Sequence, residues 1–140
     1  RDNDAIYGGE MSAHHYFRDF YYCDSGMIPW LLVAELLSKS GENLSSMINN
    51  YRARYPVSGE INHKVKDTKV VIDCIRDQYQ AKAKHIDEAD GISMEFSDWR
   101  FNLRASNTEP LLRLNVESRH DRSLMESKTK ELLQSIARSG

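Results

Sequence analysis

The sequence lacks a long apolar segment. Among its 140 residues, the most apolar stretch covers residues 27–37, and Pro29 and Glu35 interrupt it. A helix that spans a bilayer needs roughly 20 consecutive apolar residues. This stretch has the length of one helix of a soluble domain, so we expect no association with a membrane.

The sequence also lacks a surplus of charge of either sign. It holds 19 lysines and arginines against 21 aspartates and glutamates, a net charge of −2. Domains that bind nucleic acid usually carry a basic surplus concentrated in one patch. We therefore expect no nucleic-acid partner.

Cysteine is scarce. The chain has two cysteines, Cys23 and Cys74, which are far apart and show neither the spacing of a disulfide framework nor that of a metal site. This pattern indicates two buried free thiols and a cytoplasmic location.

The first residues show no pattern of a signal peptide. The chain starts with Arg1 rather than methionine and enters a short apolar step at residues 5–7 almost at once. This start is typical of a cut inside a larger protein, so we expect the partners of the chain to include remaining domains of the same polypeptide.

Residues 1–45 predict the strand-loop-helix end of an α/β domain. A strand is expected to end at residues 5–7, closed by Gly8 and Gly9, before a functional loop with an extended continuation over residues 10–23. Asp24 or Ser25 is expected to cap a helix that ends near residue 39, before a shorter helical or linking piece at 44–51.

Residues 46–140 predict a separate α+β domain of order β-α-β-β-β-α, with a small antiparallel sheet and two helices on one face. Four strands are expected, at residues 57–65, 92–97, 99–104 and 112–117, and the last three alternate between apolar and polar residues. Residues 97–98 form a tight hairpin. One helix begins after Asp67 and the other after Asp121 or Ser123. The first is expected to bury Val70, Val71, Cys74, Ile75 and Tyr79.

The second loop, residues 104–110, is dense in groups that bind anions. Arg104 offers a planar fork of donors, Ser106 and Thr108 offer hydroxyls, and Asn107 offers an amide. A tight turn also points successive backbone amides into one concavity. From the residues alone, a polar turn with an exposed arginine remains the alternative.

The first loop, residues 8–15, places a carboxylate and two imidazoles after a glycine pair. Glu10 and Ser12 are suited to neighbouring sugar hydroxyls, and His14 could bear on a phosphate or act as an acid or base. A solvated surface turn is the alternative. Adjacent histidines with one glutamate lack the spacing of a zinc motif, so we expect no metal site here.

Both loops resemble motifs of the α-D-phosphohexomutase (phosphomannomutase/phosphoglucomutase) family. Residues 9–14, Gly-Glu-Met-Ser-Ala-His, resemble its sugar loop, and residues 104–110, Arg-Ala-Ser-Asn-Thr-Glu-Pro, resemble its phosphate loop. The first loop is similar to that of bacterial phosphomannomutases that supply GDP-mannose biosynthesis. By this resemblance Glu10 and Ser12 bind sugar hydroxyls and His14 lies near the reacting end in a supporting catalytic role. The phosphate that is not transferred is held by Arg104, Ser106, Asn107 and Thr108. The chain departs from the family at Ala13, where the family has glycine.

The resemblance also implies a reaction. Family members move a phosphoryl group between O6 and O1 of a hexose through a phosphoserine and a bisphosphorylated sugar, with Mg²⁺. The 140 residues contain neither the phosphoserine loop nor the aspartate-rich magnesium loop. We therefore expect the nucleophile and the Mg²⁺ site outside this chain, and no mutase activity from the chain alone. The alternatives are a phosphoglucomutase of the same family, or a non-catalytic nucleic-acid-binding or interaction module.

Overall fold

The computed structural model describes residues 2–10 and 12–140, so Arg1 and Met11, the latter a member of the first loop, lie outside the described residues. The chain forms two compact units, Arg1–Ile48 and Asn49–Gly140. They are described separately below as unit 1 and unit 2. The division at residues 45/46 stays a prediction.

Unit 1 opens with three short antiparallel strands in the order β1-β2-β3. The strands are β1 (Tyr7–Gly9), β2 (His15–Phe17) and β3 (Cys23–Asp24), and a turn of 3-10 helix over Arg18–Phe20 connects the last two. Helices α1 (Met27–Ser40) and α2 (Leu44–Arg54) follow, and α2 crosses the division between the units. The two helices confirm the prediction for this part of the chain.

One detail of the prediction for unit 1 is wrong. The glycine pair does not close the first strand but lies inside it, since Gly8 pairs with Tyr16 and Gly9 with His15. Pairing with β2 thus overrides the preference of glycine for turns. Of the two residues predicted as caps of α1, Asp24 belongs to β3 and Ser25 reaches an amide of the first turn. The Ser25 hydroxyl accepts a 3.4 Å hydrogen bond from the Ile28 amide, close to the predicted role.

Helix α1 is the apolar segment of residues 27–37. It ends at Gly41, which adopts a left-handed conformation (φ 67°) and donates its N–H to the Leu37 carbonyl. Met27, Trp30 and Leu36 are exposed along it. Within residues 2–10 and 12–140, none of the helices is long and apolar enough to cross a membrane.

Unit 2 is an α+β domain built on a five-stranded antiparallel sheet of order β4-β8-β7-β6-β5. Its elements in chain order are β4 (Ile61–Lys64), α3 (Thr68–Tyr79), β5 (His85–Asp87), β6 (Ile92–Glu95), β7 (Trp99–Ala105), β8 (Leu111–Ser118) and α4 (Arg122–Ser139). The longest strands, β7 and β8, are internal, so the turn between them is supported on both sides. The predicted fold class is confirmed.

One core lies between the sheet and the two helices. It contains Val71, Ile75, Tyr79, Ile92, Met94, Phe101, Leu103, Leu112, Leu114, Val116, Met125, Leu132 and Ile136. The Asp67 carboxylate caps α3 by accepting from the amides of residues 69 and 70, and the Asp121 carboxylate caps α4 by accepting from the Leu124 amide. Successive side chains of a strand point to opposite faces of the sheet. The polar residues of β7 and β8 therefore lie on the face of the sheet that points away from the core, called the polar face below.

The structure corrects two expectations for unit 2 and one that concerns a cysteine of unit 1. Strand β5 was not predicted. On α3, Val70 and Cys74 are exposed. The side of the helix that faces the core carries Val71, Ile75 and Tyr79, so each exposed residue directly precedes a buried one. Cys23 is exposed as well, so the two thiols are free, as expected, but not buried.

Candidate functional site

The first loop is a tight turn that presents the Glu10 carboxylate. The Ala13 amide donates to the Glu10 carbonyl at 3.1 Å, and the Glu10 amide donates to the His14 carbonyl at 2.9 Å. Glu10 Oε1 accepts from the Tyr16 hydroxyl at 2.8 Å, and Oε2 accepts from the Ser12 hydroxyl at 3.0 Å. These hydrogen bonds, the Tyr16 bond foremost, lower the pKa of Glu10. The carboxylate is therefore ionised and can accept from further hydroxyl groups at neutral pH.

His14 is held by a carboxylate that the sequence did not reveal. Its Nδ1 lies 2.6 Å from Asp24 Oδ2, while Asp24 Oδ1 accepts from the His15 amide at 2.9 Å. Since an ionised carboxylate can only accept, Nδ1 is the donor, and Nε2 is the nitrogen that Asp24 does not engage, in a side chain that is 52% exposed. The hydrogen bond to Asp24 raises the pKa of His14, and the same bond lowers the pKa of Asp24. The imidazole is thereby biased toward its cationic form.

His15 has a structural role in unit 1. Its Nδ1 lies 2.7 Å from the Tyr7 hydroxyl, and the two rings stack at 6.0 Å. The neighbouring histidines therefore point to different partners. Of the two, it is the His14 imidazole that contacts the Asp24 carboxylate.

Ala13 adopts a left-handed conformation with φ 63°. An alanine Cβ is unfavourable there, and glycine is the residue that tolerates it. Ala13 is the position at which the sequence departs from the glycine of the resembling family. The departure therefore costs conformational energy in the turn between Ser12 and His14.

The second loop connects β7 to β8 by a turn whose two hydroxyls lie side by side. The Ser106 amide donates to the Leu111 carbonyl at 2.9 Å and closes the base of the turn. The Ser106 hydroxyl lies 3.4 Å from the Thr108 hydroxyl and accepts from the Thr108 amide at 3.4 Å. Asn107 is exposed between them.

Arg104 lies at the last residue pair of the polar face before this turn, directly opposite Arg113 on β8. Its side chain is 24% exposed, with Nη2 at 3.7 Å from Glu60 Oε2 and Nη1 at 3.7 Å from Asp90 Oδ2. Both distances are those of ion pairs and exceed hydrogen-bond length. The guanidinium donors are therefore near carboxylates without being bound tightly by them.

Gly91 makes room for Arg104. It lies beside Arg104 with φ 72°, and a Cβ on it would fall 2.7 Å from Arg104 Cα and against the Leu103 carbonyl oxygen. Any larger residue at this position must push β7 aside. The turn before β6 thus fixes the backbone that carries the arginine.

Within unit 1 the structure brings together Glu10, Ser12 and His14, and within unit 2 it brings Ser106 and Thr108 together in the turn that follows Arg104. Five further residues lie against these groups and were not predicted there: Tyr16, Asp24, Glu60, Asp90 and Arg113. Among the described residues, no group of three histidine, cysteine, aspartate or glutamate side chains could hold a metal ion. The substrate contacts of the residues in the two loops remain predictions.

Two family models match the chain. Residues 1–55 match the one described as "Phosphoglucomutase/phosphomannomutase, alpha/beta/alpha domain III", and residues 60–135 match "Phosphoglucomutase/phosphomannomutase, C-terminal domain". The chain belongs to the phosphoglucomutase/phosphomannomutase family. The resemblance seen in the two loops of the sequence is thereby confirmed for both parts of the chain.

Curated relatives agree with the phosphoglucomutase/phosphomannomutase assignment. A protein named Phosphomannomutase from Escherichia coli is 62% identical over 133 residues, which are 95% of this chain and 29% of the relative. One of the same name from Vibrio cholerae is 58% identical over 137 residues, 97% of this chain and 30% of the relative. The chain thus spans about 30% of the length of these relatives.

A solved structure shares the fold of this family member. A crystal structure of a phosphoglucomutase/phosphomannomutase family protein from Burkholderia thailandensis matches with a TM-score of 0.68 and 25% identity. The match covers 98% of this chain and 30% of that one.

Proposed function

We propose that the chain supplies the sugar-hydroxyl and phosphate contacts of a phosphomannomutase, which interconverts mannose 6-phosphate and mannose 1-phosphate. Relatives named phosphomannomutase, up to 62% identical among those compared above, support mannose as the sugar. On this proposal, the reaction passes through a phosphoserine and a bisphosphorylated sugar. Both the serine and Mg²⁺ belong to parts of the polypeptide outside this chain.

The observation that carries the proposal is the pair of arginines at the base of the second loop. Arg104 and Arg113 face each other across β7 and β8, beside the paired hydroxyls of Ser106 and Thr108. Like charges placed directly opposite on neighbouring strands destabilise a sheet. The Glu60 carboxylate, 3.7 Å from Arg104 Nη2, is too distant for a hydrogen bond, so the pair favours an anion that binds more closely. Guanidinium forks and hydroxyl donors match the oxygens of a phosphate.

The first loop supports a sugar as the carrier of that phosphate. The ionised Glu10 carboxylate can accept from hydroxyl groups, and the Ser12 hydroxyl beside it can donate or accept. Carboxylate and hydroxyl pairs of this kind bind neighbouring hydroxyls of a hexose. The protonated form of the His14 imidazole, which Asp24 favours, can lie near a phosphoryl oxygen or donate a proton from Nε2.

The division of roles suits phosphoryl transfer, in which positioning and charge stabilisation contribute most of the catalysis. One phosphate of the sugar must be held while the other reacts. A loop of guanidinium, hydroxyl and amide donors can bind the held phosphate whichever carbon of the sugar bears it. Mg²⁺, bound elsewhere, would stabilise the negative charge of the transferred group. On this proposal, the isolated chain binds ligand but has no mutase activity.

A titration of the isotopically labelled chain with mannose 1-phosphate tests the proposal. We expect amide shifts at residues 104–108 with the sugar phosphate and also with inorganic phosphate. Shifts at residues 10–14 should require the sugar. Glucose 1-phosphate is the comparison for sugar preference. No response in the second loop to either phosphate would contradict the proposal, as would turnover of mannose 6-phosphate by the pure chain.

The alternative of a nucleic-acid-binding module has its own test. Filter binding of labelled single- and double-stranded DNA at low salt should show no retention by this chain of net charge −2. Retention that falls steeply with salt would favour that alternative instead.

A further inference from the structure

Glu60 lies immediately before β4 and directs its carboxylate to both arginines of the second loop. Oε2 is 3.7 Å from Arg104 Nη2, and Oε1 is 3.8 Å from Arg113 Nε. The Glu60 side chain is only 23% exposed. A single, largely buried carboxylate therefore faces two guanidinium groups at once.

These contacts neutralise charge but leave hydrogen-bond donors unsatisfied. Both distances are longer than a hydrogen bond. Nε of Arg113 is buried and, among the described residues, has no hydrogen-bond partner. A buried donor without a partner is unfavourable, so Arg113 favours an acceptor that approaches more closely than Glu60 does.

The charge balance indicates that Glu60 and a phosphate compete. The two arginines contribute two positive charges and Glu60 one negative charge, while Asp90 is 75% exposed and screened by water. A phosphate monoester brings about −1.5 to −2 charges. With Glu60 still beside the arginines, the phosphate would face a carboxylate across a partly buried site, where repulsion is stronger than in water.

We propose that Glu60 is the resident counter-anion of the phosphate site, which holds the guanidinium groups of Arg104 and Arg113 in the free protein and gives way when phosphate binds. The proposal rests on the proposed function, because it concerns the same site. It deepens that function by making phosphate binding an exchange of anions. In the free state, Glu60 keeps the two positively charged arginines together. When phosphate is bound, competition from Glu60 weakens retention of the sugar phosphate, which suits a bisphosphorylated intermediate that must leave the site and turn around.

The test compares inorganic phosphate binding at constant ionic strength for the chain and for Glu60→Gln. The substitution removes the charge and nearly keeps the shape, so we expect the affinity for phosphate to rise about 3- to 10-fold at low salt and less at high salt. The melting temperature without phosphate should fall, because the arginines lose their shared counter-charge, and phosphate should restore it. A purely structural role of Glu60 predicts the loss of stability without tighter binding.

Glu117→Gln is the matched control. Glu117 lies on the same polar face of β8 and accepts from Arg100 Nε at 2.9 Å, at the end of the strands away from the second loop. Its loss removes the same charge and one glutamate–arginine pair, and the affinity for phosphate should stay within about twofold of the original.

Arg104→Gln separates failure of this inference from failure of the proposed function. If Arg104→Gln weakens phosphate binding but Glu60→Gln leaves it unchanged or weaker, the counter-anion role is wrong and the phosphate site stands. If Arg104→Gln has no effect, both fall. Should Glu60→Gln fail to fold, Glu60→Asp draws the carboxylate back from both guanidiniums and should raise affinity by a smaller factor. A fall with Glu60→Asp would overturn the counter-anion role.

Discussion

The imidazole Nδ1 of His14, the residue before β2, lies 2.6 Å from the carboxylate of Asp24 in the neighbouring strand β3. The two residues stabilise each other's charged forms, which raises the pKa of His14 and lowers the pKa of Asp24. A histidine with a raised pKa favours folding below its unfolded pKa and loses that contribution as pH rises through its folded pKa. An aspartate with a lowered pKa favours folding above its unfolded pKa and loses that contribution as pH falls through its folded pKa.

Asp24→Asn should therefore bring the pKa of His14 down toward the ordinary histidine range. In the original chain, the stability of unit 1 should fall as pH rises from the unfolded to the folded pKa of His14. In Asp24→Asn this fall should disappear. An NMR titration of the His14 ring protons measures the first effect, and amide exchange of β2 as a function of pH measures the second. Asp19→Asn, which removes an exposed carboxylate of the same unit, is the control and should leave the His14 curve in place. An unchanged pKa in Asp24→Asn would show that the pair does not persist in solution.

Ala13→Gly should stabilise the first loop, because glycine removes the cost of a Cβ at φ 63°. The expected gain is about 0.5–1 kcal/mol, the left-handed penalty less the greater unfolded-state entropy of glycine. Exchange rates of the amides of β2 report it. Ala34→Gly, inside helix α1, is the control with the opposite sign and should cost about 1 kcal/mol. A destabilised first loop in Ala13→Gly would mean that the alanine methyl contributes contacts that outweigh its strain.

Gly91→Ala should destabilise unit 2 by about 2–4 kcal/mol, since the new methyl meets the backbone of β7 at a position where φ is also positive. Phosphate affinity should fall with it, because Arg104 is displaced. Gly59→Ala separates the two effects. Its φ is also 72°, but nothing lies within 4 Å of a Cβ there, so only the conformational cost of about 1 kcal/mol applies. Urea unfolding of both variants gives the difference, and equal losses would contradict the proposed clash.

Arg104→Ala should reduce phosphate affinity in the chain, and kcat/KM in a longer polypeptide that holds the remaining domains, by about 10- to 100-fold, the usual loss for hydrogen bonds to a charged group. Arg100→Ala on the same strand and face is the control. Arg100 is paired with Glu117 at the other end of β7, so its loss should leave binding nearly unchanged. Equal effects of the two variants would indicate a general charge effect and not a site at the second loop.

Strand alternation was sufficient to predict which face of the sheet carries Arg104. Phe101 and Leu103 are buried and Arg104 is on the opposite side, as a period of two requires. The same argument did not find β5, because its three residues are all exposed and only Ile86 is apolar. A short edge strand of this kind is defined by its pairing with β6, which local sequence does not encode.

The partners of the candidate site were harder to predict than its loops. Asp24 reaches His14 only because β3 pairs with β2 in one particular register, and Glu60 reaches Arg104 from the far side of β8. Neither pairing has a signature in sequence spacing. The strand parity of Arg113 was visible, but its position opposite Arg104 depends on the length of the turn that joins β7 and β8.

The order of strands in unit 2 places the two arginines on interior strands and Glu60 beside an edge strand. β7 and β8 each have a neighbour on both sides, whereas β4 is an outermost strand, bordered on one side only. Fluctuations of a sheet are greatest at its borders. On the proposed exchange of anions, the phosphate would meet two arginines on interior strands and a carboxylate beside an edge strand. Binding of the ligand would then rearrange the edge of the sheet and not its middle.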